Sequence, residues 1–285
     1  MFQRFLALMV VATISALSTP ADTYASTQEV KTGGRFMLKN HLGQIVTDQD
    51  FHGKFAVGGN TVLAIFGDID IDKTRKLVEK AFAGMPAGKA APPPLPPAPK
   101  LQPGAETIRH IQYTNRGQVN LILGTNGIPI NHRDQYAMSV LSIILSRNLH
   151  EALRGRNDYV YLVWASSSPG FNAGTFNILA QTTPDKYDKM MIEIRAEIDK
   201  ILKGEFSDED LDSARRGSVS YSEIGMQTNM DVASSAALNE LYGLGADFHL
   251  RFPVSVSKVT RDNVLMVAKK YFVRWLLVET RPEKK

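Results

Sequence analysis

An arginine and a tyrosine seven positions apart are the residues of this sequence whose types and spacing best suit chemistry. Arg154 lies in a helix-like run and Tyr161 in a strand-like run, with a break predicted at Gly155. A guanidinium offers a fixed fork of N–H donors, and a phenol offers one O–H donor. Brought together by a turn, the two groups can grip a peptide carbonyl or an oxyanion. Most arginines and tyrosines are surface charge and core filling, so the surrounding elements must decide whether this pair has a function.

The histidines do not have the spacing of a metal site. A hydrolytic zinc site usually pairs two histidines on one helix, with an acidic residue between them. Here the six histidines occur singly, and no two are three or four residues apart. His150 stands beside Glu151, but Arg147 and Arg154 occupy its partner positions, so we interpret it as a helix-surface histidine. Nucleophile-elbow, Walker and dinucleotide-binding motifs are also absent from the sequence.

The composition is typical of a folded protein and excludes several classes of function. The chain has 285 residues, of which 44% are hydrophobic and 22% charged, enough to bury a sizeable core. The formal charge of +4 is small and the basic residues are dispersed, so nucleic acid is not an expected partner. Because the sequence contains no cysteine, it has no disulfides, thiolate metal ligands or cysteine nucleophiles.

Residues 1–25 have the pattern of a secretory signal peptide. Arg4 precedes an apolar run that ends at Leu17, and small or polar residues follow. The apolar run is too short to span a bilayer, and cleavage fits after Ala21 or Ala25. We therefore predict an exported protein, periplasmic or secreted, with no stable membrane span after cleavage. Retention of the segment as an N-terminal anchor is the alternative.

Strands and helices are predicted to alternate along the rest of the chain. Residues 61–68 are predicted as a buried strand, and the helix after them begins at Asp70 or Asp72. The eight prolines of residues 86–103 predict an extended connector, with a ligand for a proline-binding domain as the alternative. Further strands are predicted at 106–113, 118–124, 159–166, 174–181 and 275–278, and helices at 134–145, 187–204, after Ser207 and at 261–271.

Two of these strand pairs have a short connection. A turn at 115–117 predicts that strands 106–113 and 118–124 pair as a hairpin. A turn at 168–170 predicts the same for strands 159–166 and 174–181.

The ordered motifs resemble the C-terminal half of pitrilysin/insulinase-type zinc metallopeptidases, a family that includes the mitochondrial processing peptidases. The motifs are Asn60–Asp70, Phe82–Pro86, Leu153-Arg154 with Tyr161–Val163, Gly174–Phe176 and Thr183-Pro184. The similarity runs from about residue 57 to the end of the chain. It implies an α+β fold, a two-layer sandwich of a mostly antiparallel sheet packed against helices. Where the family has a glycine-containing loop before the arginine, this chain has Leu145–Asn148, which leaves the local helix position open.

The resemblance also implies a role for the arginine and the tyrosine. In the family, two homologous halves, in one chain or two, enclose a chamber, and the catalytic half carries an inverted His-x-x-Glu-His zinc site. The other half contributes an arginine and a tyrosine that hold the substrate and stabilise the tetrahedral intermediate. Arg154 and Tyr161 match that pair, whereas neither the zinc ligands nor the general-base glutamate has a counterpart in this sequence.

This chain is therefore expected to be the substrate-binding, non-catalytic half of an exported two-chain zinc metallopeptidase, inactive by itself. The resemblance implies that it binds no cofactor, that a homologous partner subunit carries the zinc, and that a peptide is the substrate. A catalytically inert scaffold, or a truncated or fused binding module without a peptidase partner, is the alternative.

A second resemblance is confined to the start of the chain. Gly33–Leu38, Gly43–Phe51 and Gly53–Phe55 are similar to the opening of Sco/SenC-type copper chaperones of thioredoxin fold. The Cys-x-x-x-Cys copper site of that family has no counterpart here. We interpret residues 26–58 as a poorly structured remnant of gene fusion or rearrangement, followed by a peptidase-type domain at 59–285.

Overall fold

The computed structural model describes residues 37–39, 45–47, 57–88 and 108–283. The strands are β1 (Met37–Lys39), β2 (Ile45–Thr47), β3 (Ile108–Thr114), β4 (Val119–Asn126), β5 (Val160–Ser168), β6 (Thr175–Thr182) and β7 (Leu276–Pro282). The helices are α1 (Ile71–Ala81), α2 (Gln135–His150), α3 (Tyr187–Lys203), α4 (Asp208–Ile224), α5 (Asn229–Leu241), α6 (Phe248–Ser257) and α7 (Arg261–Tyr271). Across these ranges, no helix combines the length and the apolar character needed to cross a membrane.

The described residues form two units, of which the first contains residues up to 88 together with 228–241. In this unit β1 and β2 pair antiparallel, and Asp70 caps α1 by accepting a hydrogen bond from the backbone N–H of Lys73 at 2.9 Å. The copper-chaperone resemblance otherwise lies outside the described residues. So does most of the proline-rich connector, and so does the predicted signal peptide.

The predicted strand at 61–68 does not form. Leu63 makes a single bridge, and the side chains of Ile65 and Phe66 stay about 40% exposed. An apolar run becomes a strand only where neighbouring strands take up its backbone groups and a packed layer covers its side chains. The described part of this unit does not supply them.

A five-stranded sheet is the centre of the second unit, with strand order β3-β7-β4-β6-β5. Its β3 and β7 run parallel and the other neighbours run antiparallel. The predicted pairing of β5 with β6 is confirmed. The predicted hairpin of β3 and β4 is wrong, because β7 lies between them. The four residues that join β3 to β4 are enough to cross one intervening strand, a distance of about 10 Å.

Helices cover one face of this sheet and bury the core. Apolar side chains recur every three or four residues along α2 and α3, and they meet the inward side chains of the central strands. These buried residues include Val140, Leu141, Ile144, Leu145, Met190, Ile194, Ile198, Leu121, Leu123 and Ile178. The arrangement confirms the α+β fold with a mostly antiparallel sheet packed against helices.

A buried ion cluster lies at the β3–β7 side of the sheet. Glu279 is 1% exposed, and its Oε1 accepts a hydrogen bond from Arg109 Nε at 2.7 Å. Arg281 Nε lies 3.1 Å from the same oxygen, and the Arg281 guanidinium lies 4.1 Å from the ring centroid of Tyr187. Burial raises the pKa of the Tyr187 hydroxyl, and its hydrogen bond with Glu279 acts in the same direction. Two cations thus compensate one buried carboxylate.

A second buried carboxylate ties the start of α2 to the end of α7. Asp134 is 8% exposed, and its Oδ2 accepts hydrogen bonds from Lys270 Nζ at 2.8 Å and from the Tyr271 hydroxyl at 2.9 Å. Burial alone would raise the pKa of Asp134, but the hydrogen bonds from Lys270 and Tyr271 bring it below its usual value.

Candidate functional site

The helix before Arg154 is longer than predicted. Instead of ending at Leu145, α2 continues to His150, and a π-helical segment follows directly at Glu151–Arg156. The stretch Leu145–Asn148 therefore lies inside α2. The reason is packing: Leu145 and Leu149 are fully buried on its core face, one turn apart. His150 is exposed near the end of the helix, as predicted.

The π-helical segment carries Arg154 at the protein surface. Ala152 and Leu153 are fully buried, whereas the Arg154 side chain is 46% exposed. Gly155 lies within the segment, so the predicted break at this residue is wrong. Short π-helical insertions are uncommon and occur often at functional sites, because the wider turn redirects the side chains that it carries.

The turn out of the segment is made by Asn157, Asp158 and Tyr159. The Asn157 side-chain amide donates to the carbonyl of Ala152 at 2.8 Å, and the Tyr159 backbone N–H donates to the carbonyl of Leu153 at 2.7 Å. Asp158 has a φ of 48° and is the one non-glycine residue in the described ranges with a positive φ. Aspartate and asparagine tolerate this conformation better than other residues with a side chain.

Arg154 is held by the turn that follows it. Its Nη1 donates to Asp158 Oδ1 and to the carbonyl oxygen of Val160, both at 3.0 Å. The Val160 carbonyl belongs to the peptide bond that leads into Tyr161. The guanidinium therefore lies against the backbone of the second predicted site residue.

Tyr161 is the extra residue of a β-bulge. Val160 pairs with Thr182 and Leu162 pairs with Gln181, so Tyr161 has no partner position on β6. Its side chain is 55% exposed. Within the described ranges its hydroxyl makes no hydrogen bond. A bulge near a functional site re-aims one side chain without disturbing the rest of the strand.

Two residues that the sequence reasoning did not single out complete this site. Lys186, just before α3, donates from Nζ to the backbone carbonyl of Asp158 at 2.7 Å, and the same Nζ lies 3.4 Å from Asp158 Oδ2. The Asn157-Asp158 dipeptide is a sequence signal for such a turn, because both residue types tolerate a positive φ. No local pattern links Asp158 to Lys186, which lies 28 residues further along the chain.

The described ranges contain no group of three or more histidine, cysteine, aspartate or glutamate side chains placed to hold a metal ion. The Arg154 guanidinium and the Tyr161 phenol can donate hydrogen bonds to an oxygen-bearing ligand.

The sequence and the fold match a known class of protein. Residues 49–218 match the family model described as "Peptidase M16 inactive domain". This match covers more than half of the 285 residues, and the chain belongs to that family.

Relatives and solved structures agree with this assignment. An uncharacterized zinc protease of Rickettsia bellii is 28% identical over 172 residues, 58% of this chain and 39% of the relative. Zinc protease PqqE of Helicobacter pylori is 26% identical over 237 residues, 78% of this chain and 51% of the relative. The crystal structure of the peptidase M16 inactive domain from Pseudomonas fluorescens superposes with a TM-score of 0.68 at 20% identity, covering 83% of this chain and 57% of that one.

These matches cover only part of each relative. The chain spans 39% and 51% of the lengths of these two relatives. At 20% identity the structural likeness shows the fold. The chain is thus a member of the M16 inactive-domain family, and it is similar in sequence to proteins described as zinc proteases.

Proposed function

We propose that this chain is the substrate-binding, non-catalytic half of an exported two-chain zinc metallopeptidase. The observation that carries the proposal is the placement of Arg154 and Tyr161. Both lie on local departures from regular structure, a π-helical segment and a β-bulge, and both side chains are about half exposed. Such departures are over-represented at functional sites.

The hydrogen bonds of Arg154 suggest how it meets a substrate. Nη1 donates to its own chain, so the N–H groups of Nε and Nη2 remain for a ligand. These groups form one edge of the guanidinium and can grip a peptide carbonyl or an oxyanion, together with the Tyr161 hydroxyl. Zinc and the base that activates water belong, in this proposal, to a homologous partner subunit, and this chain binds a peptide without binding a cofactor.

We also propose that the chain is exported and acts in the periplasm or outside the cell. Arg4, the apolar run and the small residues up to Ala25 support this part of the proposal. In the mature protein, residues 26–58 would precede the peptidase-type domain that begins near residue 59. Cell fractionation and N-terminal sequencing test this proposal, with cleavage expected after Ala21 or Ala25. Recovery only from the cytoplasmic fraction would contradict export, and an intact Met1 in the exported protein would contradict cleavage.

The test of the peptidase role is reconstitution with an M16 chain that carries His-x-x-Glu-His. The two chains should co-elute on size exclusion, and only the mixture should cleave peptides. Arg154→Ala should then lower kcat/KM about 10²- to 10³-fold, the usual cost of removing one oxyanion-binding donor.

Arg251→Ala is the matched control, because Arg251 is 55% exposed and also pairs with an aspartate four residues away. It should leave kcat/KM unchanged. If Arg154→Ala leaves cleavage intact, the assigned role is wrong. If the chains do not associate, the inert scaffold becomes the better description.

A further inference from the structure

We propose that Asp158, anchored by Lys186, is a positioning residue that fixes the orientation of the Arg154 guanidinium. This inference rests on the proposed function of Arg154. It concerns two residues outside the Arg154–Tyr161 pair.

The turn that carries Asp158 is tied down at both ends. The Asn157 amide and the Tyr159 N–H donate to consecutive carbonyls of the π-helical segment, those of Ala152 and Leu153. The segment is itself attached to α3, because Arg156 Nη2 lies 3.6 Å from the buried carboxylate of Glu197. Asp158 therefore lies at a fixed place, in a strained conformation with a φ of 48°.

The carboxylate of Asp158 and the carbonyl of Val160 together occupy Nη1 of Arg154. Each accepts one hydrogen bond at 3.0 Å, which uses both N–H groups of that nitrogen. The guanidinium is planar, so with two acceptors on one nitrogen it cannot swing about the Cγ–Cδ or Cδ–Nε bonds of the side chain without losing at least one of them. Its Nε–Nη2 edge is consequently held in one direction, and that edge matches two oxygens of a single group, such as a carboxylate.

Lys186 turns an ordinary surface ion pair into a network. The Asp158 side chain is 72% exposed, and an isolated exposed pair of this kind orders its side chains weakly. Lys186 Nζ bonds the backbone carbonyl of Asp158 and also approaches its carboxylate, so one ammonium group fixes both parts of the residue. Asp247 and Arg251 have the same four-residue spacing and the same 3.0 Å distance, and no lysine joins them in the described ranges.

The experiment measures the order of the Arg154 side chain in the isolated full chain. ¹⁵N relaxation of the Nε–H group, assigned by its loss in Arg154→Lys, should give an order parameter of about 0.8 in the wild type. Asp158→Gly and Lys186→Met should lower the parameter below about 0.6. Asp247→Asn is the matched control and should not change it.

The peptidase assay of the reconstituted pair provides the second measurement. Asp158→Gly should lower kcat about tenfold and change KM less than about twofold, because Arg154 remains present but is poorly oriented. Unchanged Arg154 order in both Asp158→Gly and Lys186→Met would overturn the inference, whatever the assay shows. A further outcome is that Asp158→Gly and Lys186→Met reduce the order of Arg154 while Arg154→Ala cleaves peptides as fast as the wild type. That result would support the positioning network and reject the proposed function.

Discussion

The Glu279 cluster and the Asp158 cluster are built from the same chemistry, but their carboxylates lie in opposite surroundings. At the β3–β7 side of the sheet, the carboxylate of Glu279 is buried between Arg109 and Arg281. In the turn before β5, the carboxylate of Asp158 lies between Arg154 and Lys186, with its side chain 72% exposed. Each cluster has one carboxylate and two partly exposed cations, so the difference between them is burial of the carboxylate.

Burial changes what each cluster contributes. A buried carboxylate has lost its water, so removal of its charge leaves the surrounding cations without compensation. An exposed carboxylate keeps most of its hydration, so its ion pairs add little to the free energy of unfolding. The exposed cluster can therefore be specialised for orientation, whereas the buried cluster is part of the packing of the sheet.

The largest expected effect is on the buried cluster. Glu279→Gln keeps the shape of the side chain and removes the charge that compensates Arg109 and Arg281. We expect the free energy of unfolding to fall by about 3 kcal/mol in urea denaturation. Glu283→Gln is the control, because Glu283 is exposed near the end of the chain and should be neutral. A loss below about 1 kcal/mol for Glu279→Gln would remove the distinction between the clusters.

An intermediate effect is expected at Asp134. Its carboxylate is buried and accepts hydrogen bonds from Lys270 and Tyr271. Asp134→Asn should cost about 1–3 kcal/mol at neutral pH, because it replaces charge-assisted hydrogen bonds with weaker ones. The folded-state pKa of Asp134 lies below the ordinary value of 3.8. Its stabilisation is therefore present above that pH and is lost as the pH falls through the folded-state pKa.

Urea denaturation of wild type and Asp134→Asn from pH 7 to pH 2 measures this dependence. The two unfolding free energies should converge only below about pH 4. A constant difference across the whole range would mean that the charge of Asp134 does not contribute.

The smallest effect on stability is expected in the exposed cluster. Asp158→Asn should change the free energy of unfolding by less than about 0.5 kcal/mol, because both the carboxylate and its partners are hydrated. Thermal denaturation of Asp158→Asn and of Glu279→Gln, measured in parallel, compares the two losses of stability. A loss as large as that of Glu279→Gln would make the turn a structural element, and its residues would then not be specialised for Arg154.

The sequence predicts the parts of the fold that depend on local patterns. The alternation around the 168–170 turn predicts the β5–β6 pair, and the apolar spacing of Met190, Ile194 and Ile198 predicts α3. The position of β7 between β3 and β4 is set by pairing across more than 150 residues, which no local window contains. The run at 61–68 has the composition of a strand but lacks described neighbours that would make it one.

The candidate site likewise has parts that the sequence predicts and parts that it does not. Arg154 and Tyr161 are found from residue types, spacing and family resemblance. The π-helical segment extends α2 past Gly155, so the actual turn comes two residues later than the sequence indicates. The contact of Lys186 with Asp158 is visible only in the folded structure.

The bulge at Tyr161 also determines how β5 responds to a change in its length. Val160 faces the helices before the bulge, and Val163 and Ala165 face them after it, so the inward positions are separated once by three residues and then by two. Deletion of one residue at the bulge, such as Tyr161 itself, would return the strand to strict alternation and keep Val160, Val163 and Ala165 inward. Deletion of a second residue would put Val160 and Val163 on opposite faces. The extra residue is therefore one that β5 can lose without repacking the core.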